Sequence, residues 1–519
     1  MNQEEIKKKQ KRVMIYVMII SLICVVGVSY AFFTAGMSSE TSTTVRADAG
    51  TMKITYSGGA NIDLAGIYPK DDVWATKTIT VTGNNTTDAD MYYKLTLVVD
   101  SNTFKTDDPL QYELVSTNTS TNGEIIPNIS KTDITGTSIE LGNGHFTKAN
   151  NAKHTYELKI YYPKKANSQN ANQGATFSAH VEITSAKAPK TSGKLSELVL
   201  YNNEVKNPIT TPGAAISTAD EALLASAEDD NGTSYYFRGA VTNNYVEFAN
   251  KCWRIVRVGG DGSVKLILHN DNPTGAANPC DAANNSASAA FARYSGTTYT
   301  SAFNTNYNDN AYVGFKYGTP GSNTYEATHA NTNNSTILTN LEAWYNNNLK
   351  TYESVIADTV WCNDKTNVTD TTYDPWSITP NGRGYAKNVT YYGATQRLVS
   401  KSNSAGGTGP SLKCNGELSK ITSKVGLITA DELAFAGYAI GTGNTTYLQE
   451  NATDTYWWSL SPYYFSGNGA SVWVVLGSLG RVDYGYVDGT CGLRPSISLK
   501  PFTNVTGNGT SSSPFVVKI

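Results

Sequence analysis

Tyr456-Trp457-Trp458-Ser459-Leu460-Ser461-Pro462 and, beyond the run from 463 to 490, Cys491-Gly492-Leu493-Arg494-Pro495-Ser496-Ile497-Ser498-Leu499 bound the stretch whose reading decides the fold. Within it Trp457, Trp458, Val472, Val474, Val475, Val482, Val487, Leu493 and Ile497 recur with strand-like apolar spacing. Tyr463, Tyr464, Phe465, Ser466, Asn468, Asp483, Tyr484, Tyr486 and Asp488 read as large or polar groups in Gly-rich turns between them. Tyr gives wide amphipathic contact for two torsions, and Ser or Asn supplies hydrogen bonds, so this mixture suits adaptable binding loops. With Trp473 as a further aromatic anchor, these ten residues form the candidate ligand-binding set.

Upstream, two helices are expected. Ser335–Tyr345 places Ile337, Leu338, Leu341, Trp344 and Tyr345 on one stripe behind an Asn/Ser start. Thr429-Ala430-Asp431-Glu432 has capping-box spacing, and its two acids favour the positive helix end. Cys252–Val258 and Val264–Leu268, joined by Gly259-Gly260-Asp261-Gly262, predict a hairpin. The Asn-, Ala-, Thr- and Gly-rich stretch 270–334 reads as long loops.

Residues 186–197 lack periodicity and read as a linker. Before them, from 51 to 185, short alternating runs predict half-buried strands: Met52–Tyr56, Thr78–Thr82, Tyr92–Val99, Tyr112–Val115, Tyr156–Tyr162 and Phe177–Ile183. Regular strands without helical patterning between them argue for a β-sandwich.

At the N-terminus the uncharged run Val13–Phe33 follows Lys7, Lys8, Lys9, Lys11 and Arg12. About 20 apolar residues cross a bilayer core, and the basic flank keeps residues 1–12 cytoplasmic. Two outcomes stay open: an uncut single-pass anchor, or release by signal peptidase after Ala31, within the small-x-small site Ser29-Tyr30-Ala31. Either way the rest of the chain is expected outside the cytoplasmic membrane, with attachment resting on this segment.

Across 519 residues, only 16% are charged and the formal net charge is −3, which removes the electrostatic case for nucleic acid. Abundant Asn, Thr, Ser and Gly with 33 Tyr favour β-sheet and ordered loops over helix. Five cysteines follow the apolar run, and sequence neighbours suggest the pairs Cys252 with Cys280 and Cys362 with Cys414, one choice among fifteen, with Cys491 left over. The five His residues are scattered without ligand spacing, so neither metal nor cofactor is expected. Asp71-Asp72, Asp108-Pro109 and Glu228-Asp229-Asp230 read as solvated turns, and Trp361-Cys362-Asn363-Asp364 as a disulfide-tied turn.

Two resemblances sharpen this. The basic leader, the apolar helix ending Ser29-Tyr30-Ala31-Phe32-Phe33 and a β-domain opening near Met52-Lys53-Ile54 resemble the camelysin/TasA group of Firmicutes surface and biofilm-fibre proteins, over about the first third of the chain. The resemblance implies a jelly-roll-like sandwich, leader cleavage after Ala31 and self-assembly through the sandwich. Trp457, Trp458, Ser461 and Pro462, with Gly492, Leu493, Arg494 and Pro495, resemble the motifs that open and close the last sheet in the formylglycine-generating-enzyme-like branch of the C-type lectin fold. That resemblance covers about Leu198–Leu499. It implies an α+β module in 198–519 and, through the variable proteins of diversity-generating retroelements, ligand binding by residues between the two motifs. Either those residues are rewritten at adenine-rich codons or they are the fixed turns of a non-variable member.

The namesake enzyme needs a reactive Cys pair where this chain has Cys491 alone, and the lectin calcium triplets are absent. The expectation is therefore a mainly β, non-enzymatic cell-surface binder of an extracellular protein or glycan. A released fibre or matrix component is the alternative, and a formylglycine-generating type of enzyme the least favoured.

Overall fold

The computed structural model describes residues 43–48, 51–85, 90–119, 121–185, 190–214, 221–375 and 384–519. The chain divides after Ala188 into two compact units. The expected Val13–Phe33 span and the Ala31 site lie outside the described residues, and no described helix is long and apolar enough to cross a membrane. With 41% strand and 13% helix the protein is mainly β.

The first unit has ten strands: β1 (Thr43–Asp48), β2 (Thr51–Ser57), β3 (Ile62–Ala65), β4 (Lys70–Asn85), β5 (Met91–Asn102), β6 (Gln111–Ser116), β7 (Ile129–Asp133), β8 (Ser138–Phe146), β9 (Ala149–Tyr162) and β10 (Thr176–Ser185). They form a six-stranded sheet, β1-β2-β4-β9-β6-β7, and a four-stranded sheet, β3-β10-β5-β8. Alternation decides which side chains go inside: Met91, Tyr93, Leu95, Leu97 and Val99 of β5 are buried while their neighbours are half-exposed. Together with Ile79 and Val81 of β4 and Tyr156, Leu158 and Ile160 of β9 they make one core shared by both sheets. Polar groups inside it are paired: Tyr93 Oη lies 2.6 Å from His154 Nδ1 and 2.5 Å from Tyr156 Oη. Asp108 departs from the expected solvated turn. It accepts hydrogen bonds from Tyr162, Gln169 and Asn172 and sits 3.0 Å from Lys165.

In the second unit a nine-stranded sheet includes the expected hairpin, Lys251–Val258 against Val264–Asn270. Residues 192–197 belong to this unit and not to a linker, because Ser192–Lys194 pairs with Asn504–Thr506 and the helix Leu195–Asn202 buries Leu195, Leu198 and Val199. A six-stranded sheet contains Thr300–Ala302, Thr490–Gly492, Trp457–Phe465, Ala470–Leu476 and Arg481–Tyr486 in that order, with Thr390–Tyr391 alongside Trp457–Phe465. One core joins both sheets to the helices.

Both expected helices are present. Thr336–Asn348 starts at Ser335, whose side chain accepts from Leu338 N–H, and it buries the predicted stripe. Ala430–Ala436 begins with the full capping box of Thr429 and Glu432 and ends at Gly437, whose φ of 113° is a conformation glycine adopts freely. Disulfides join Cys252 to Cys280 and Cys362 to Cys414, and Cys491 is free and buried.

Candidate functional site

Three antiparallel strands build the site. Trp457–Phe465 pairs with Ala470–Leu476, which pairs with Arg481–Tyr486 in a register that sets Trp473 opposite Tyr484 and Ser471 opposite Tyr486. Every residue of the first two strands is buried, so both faces of that ribbon are covered. The motif residues act as its fastenings. Trp458 Nε1 donates to Ser301 O at 2.8 Å, Ser461 Oγ accepts from Ala430 N–H at 2.9 Å, and Arg494 Nε donates to Leu268 O at 2.9 Å. Gly492 is required by packing, since a Cβ there would come 2.6 Å from the Phe291 ring.

This geometry sorts the ten candidate binding residues. Tyr463, Phe465 and Trp473 are fully buried and Tyr464 nearly so; they are strand residues packed inside and not loop anchors open to a ligand. The turn reading fails for them because a strand covered on both faces takes large apolar and aromatic side chains at consecutive positions, which blurs the period-2 signal. Tyr484 and Tyr486, at 38% and 48% exposure, reach the surface from the outermost strand. On its open side that strand is met by the isolated backbone bridge between Ile440 and Val482.

The buried rings support the exposed ones. Tyr484 stacks on Tyr463 at 4.6 Å between centroids and meets Tyr464 edge-on at 5.3 Å. Tyr463 meets Trp473 edge-on at 4.7 Å, and Tyr464 stacks on Tyr391 at 6.1 Å. The Tyr486 ring covers Gly469, where a Cβ would come 2.5 Å from it. Burial, followed by the proximity of Asp483 and Tyr484, pushes the Tyr463 hydroxyl far above its ordinary pKa, so it stays neutral.

Polar groups border the rings. Asn468 and Asp488 are exposed, and Ser466 and Asp483 half-buried. Ser466 Oγ donates to Asn468 Oδ1 at 2.7 Å and accepts from Gly469 N–H, which fixes the turn. Asp483 Oδ1 accepts from Tyr484 N–H at 2.9 Å. The arrangement offers flat aromatic surface with carboxylate and amide groups at its rim. Burial pushes the Cys491 thiol up to about 12. Among the described residues no group of His, Cys, Asp or Glu could hold a metal ion.

A second feature escaped the sequence. A cavity of ≈ 180 Å³ is walled by carboxylate and cation pairs drawn from distant stretches. Arg257 bridges Asp229 at 2.8 Å and Glu432 at 3.0 Å, Lys265 reaches Glu432 at 2.6 Å, and Arg397 holds Asp364 at 2.8 Å and Asp431 at 2.7 Å. Asp229 is thus a buried ion-pair member and not a solvated turn, and Asp364, next to the Cys362–Cys414 disulfide, is a buried ion-pair member too. Burial opposes ionisation of Glu432, but Lys265 and Arg257 outweigh it and hold the carboxyl at about 2. The only sequence signal was the capping box that positions Glu432. No family model matches the chain, and no curated protein matches it.

Proposed function

We propose that this chain is a ligand-binding protein of the cell surface, which holds an extracellular protein or glycan on the aromatic face around Tyr484 and Tyr486. The observation that carries this reading is the exposed ring pair on an outer strand, preorganised by a buried aromatic layer. Rigid aromatic area backed by packing is what binding anchors require, and the rim groups Asn468, Asp483 and Asp488 would orient the ligand. The two disulfides suit an oxidising, extracytoplasmic setting. The resemblance of the closing motifs to the C-type-lectin-like binders agrees with the same strands.

The buried Tyr463, Tyr464, Phe465 and Trp473 act in this reading through the rings they support. The test is binding of the labelled full chain to a glycan array and to intact cells. Tyr484→Ala with Tyr486→Ala should lower every specific signal at least tenfold while the fold is kept, and unchanged signals would remove the assignment. Filaments formed by residues 51–185 alone, seen by electron microscopy, would favour the fibre reading instead.

A further inference from the structure

Arg254 and Arg494 are both buried to within 1% of full enclosure, and they are not equally compensated. Arg254 Nη1 lies 3.3 Å from Glu450 Oε2, its Nε donates to Asn244 Oδ1 at 2.6 Å, its Nη2 donates to Val241 O at 2.6 Å, and its plane lies 3.7 Å from the Tyr245 ring centroid. Glu450 is held there, since Oε2 also accepts from Tyr245 and lies 3.6 Å from His269 Nε2, and Oε1 accepts from Asn285.

Arg494 faces no carboxylate among the described residues. Its Nε and Nη1 donate to the carbonyls of Leu268 and Leu448, and its guanidinium centre lies 4.8 Å from the Trp457 ring centroid. Its Nη2 has no hydrogen-bond partner. A guanidinium stays charged near neutral pH, and a buried charge without a counter-charge costs several kcal/mol.

The groups around it share one property. Tyr447 Oη and Trp457 Nε1 are buried without a partner. His269 Nδ1 is a third such atom. Asn451 Nδ2 lies 3.2 Å from both His269 Nε2 and His269 O and donates to Asn285 Oδ1 at 2.9 Å, and His269 Nε2 lies 3.6 Å from Glu450 Oε2. Burial and the two guanidiniums hold His269 well below its ordinary range, so the ring is neutral. Tyr447 feels both guanidiniums as well, and its ring lies 5.5 Å from the centre of Arg254.

Arg494 Nη2, Tyr447 Oη and Trp457 Nε1 can each donate. We propose that Arg494 anchors a buried binding site for a small monovalent anion of the chloride type, completed by donors from Tyr447 and Trp457. An anion supplies the acceptor these groups require and the negative charge Arg494 requires. A water molecule would bring no charge to offset that of Arg494. The site would tie the closing Gly-Leu-Arg-Pro segment to Trp457 and to the Leu448 loop, so anion binding would stabilise the second unit without touching the aromatic face.

The test uses the full chain. Crystals soaked in bromide should show an anomalous peak within hydrogen-bond distance of Arg494 Nη2. Thermal unfolding at constant ionic strength should shift upward in chloride or bromide relative to gluconate and keep rising with anion concentration, as ligand linkage requires. Tyr447→Phe, which keeps the packing volume, should shrink that shift by half or more, so the result does not depend on Arg494→Met folding. No peak at Arg494, or an ordered water there, would overturn the proposal. So would a peak accompanied by equal unfolding temperatures in chloride and gluconate, which marks an adventitious ion only.

Discussion

The Tyr484 ring lies flat on Tyr463, with centroids 4.6 Å apart and planes within 13°, so a ring open to solvent rests on one that is fully buried. Such a pair contributes about 0.5–1.5 kcal/mol beyond simple burial. Tyr484→Ala should therefore lower the unfolding free energy by about 1–2 kcal/mol, read from urea denaturation, whereas Tyr484→Phe keeps the stack and should lose less than half of that. An alanine variant as stable as the parent would show that the stack adds nothing to the fold.

The Arg397 guanidinium sits between two carboxylates that are almost completely enclosed, Asp364 and Asp431. Replacing it by Met fills the volume and leaves two buried acids without a cation. A loss of about 3–5 kcal/mol is expected, since breaking a buried pair from one side costs more than the pair contributes. Adding Asp364→Asn and Asp431→Asn to the same chain should recover a large part. Additive losses in the triple variant would argue that the effect is packing and not charge.

Legibility in the sequence followed how local the signal was. Six strands of the first unit, the capping box at Thr429 and Glu432, and the stripe of Thr336–Asn348 are patterns held within a dozen residues, and they read correctly, while Thr43–Asp48, Ile62–Ala65, Ile129–Asp133 and Ser138–Phe146 were missed. So did the Lys251–Asn270 hairpin. The exposure of Tyr484 and the burial of Tyr463 could not be separated, because both depend on which strand lies outermost in a sheet assembled from 300–302, 390–391 and 457–492. The charged cavity was hidden for the same reason: Asp229, Arg257, Asp364, Arg397 and Glu432 each look like an ordinary surface charge until the fold brings them together.

Acid should weaken the fold in two stages. His329 is buried, and burial followed by the charge of Lys365 lowers it to about 3, with His269 lowered for similar reasons. Because the folded pKa lies below the unfolded value near 6.5, the unfolded chain binds the extra protons. Stability is full above about pH 6.5 and falls as pH drops toward 3, by up to about 1.4 kcal/mol per unit for each histidine. Glu432, held at about 2, adds a second loss that starts below its unfolded value near 4.3. Urea midpoints measured from pH 8 to 4 should stay level and then bend downward near 6.5. His329→Gln should flatten the first bend, and a profile level to pH 5 would show that neither histidine is kept neutral by the fold.

The two disulfides should differ in lability more than in the stability each confers. Cys252–Cys280 closes a separation of 28 residues and Cys362–Cys414 one of 52, for which chain entropy alone gives about 3.6 and about 4.1 kcal/mol. Their surroundings are unlike. Cys252 and Cys280 are fully enclosed and packed with Tyr245, while Cys362 and Cys414 are half-exposed, and both line the charged cavity. Thiolate attack requires access to a sulfur, so a mild reductant should open Cys362–Cys414 in the folded chain and leave Cys252–Cys280 intact until unfolding. Alkylation followed by peptide mass spectrometry reads this directly: label should accumulate first on 362 and 414 at native temperature. Equal labelling of all four cysteines under native conditions would mean that the inner bridge is as open as the outer one, against the burial seen here. Loss of the outer bridge should also loosen the wall at Asp364 and Arg397, so the reduced chain should be more sensitive to added salt than the oxidised one.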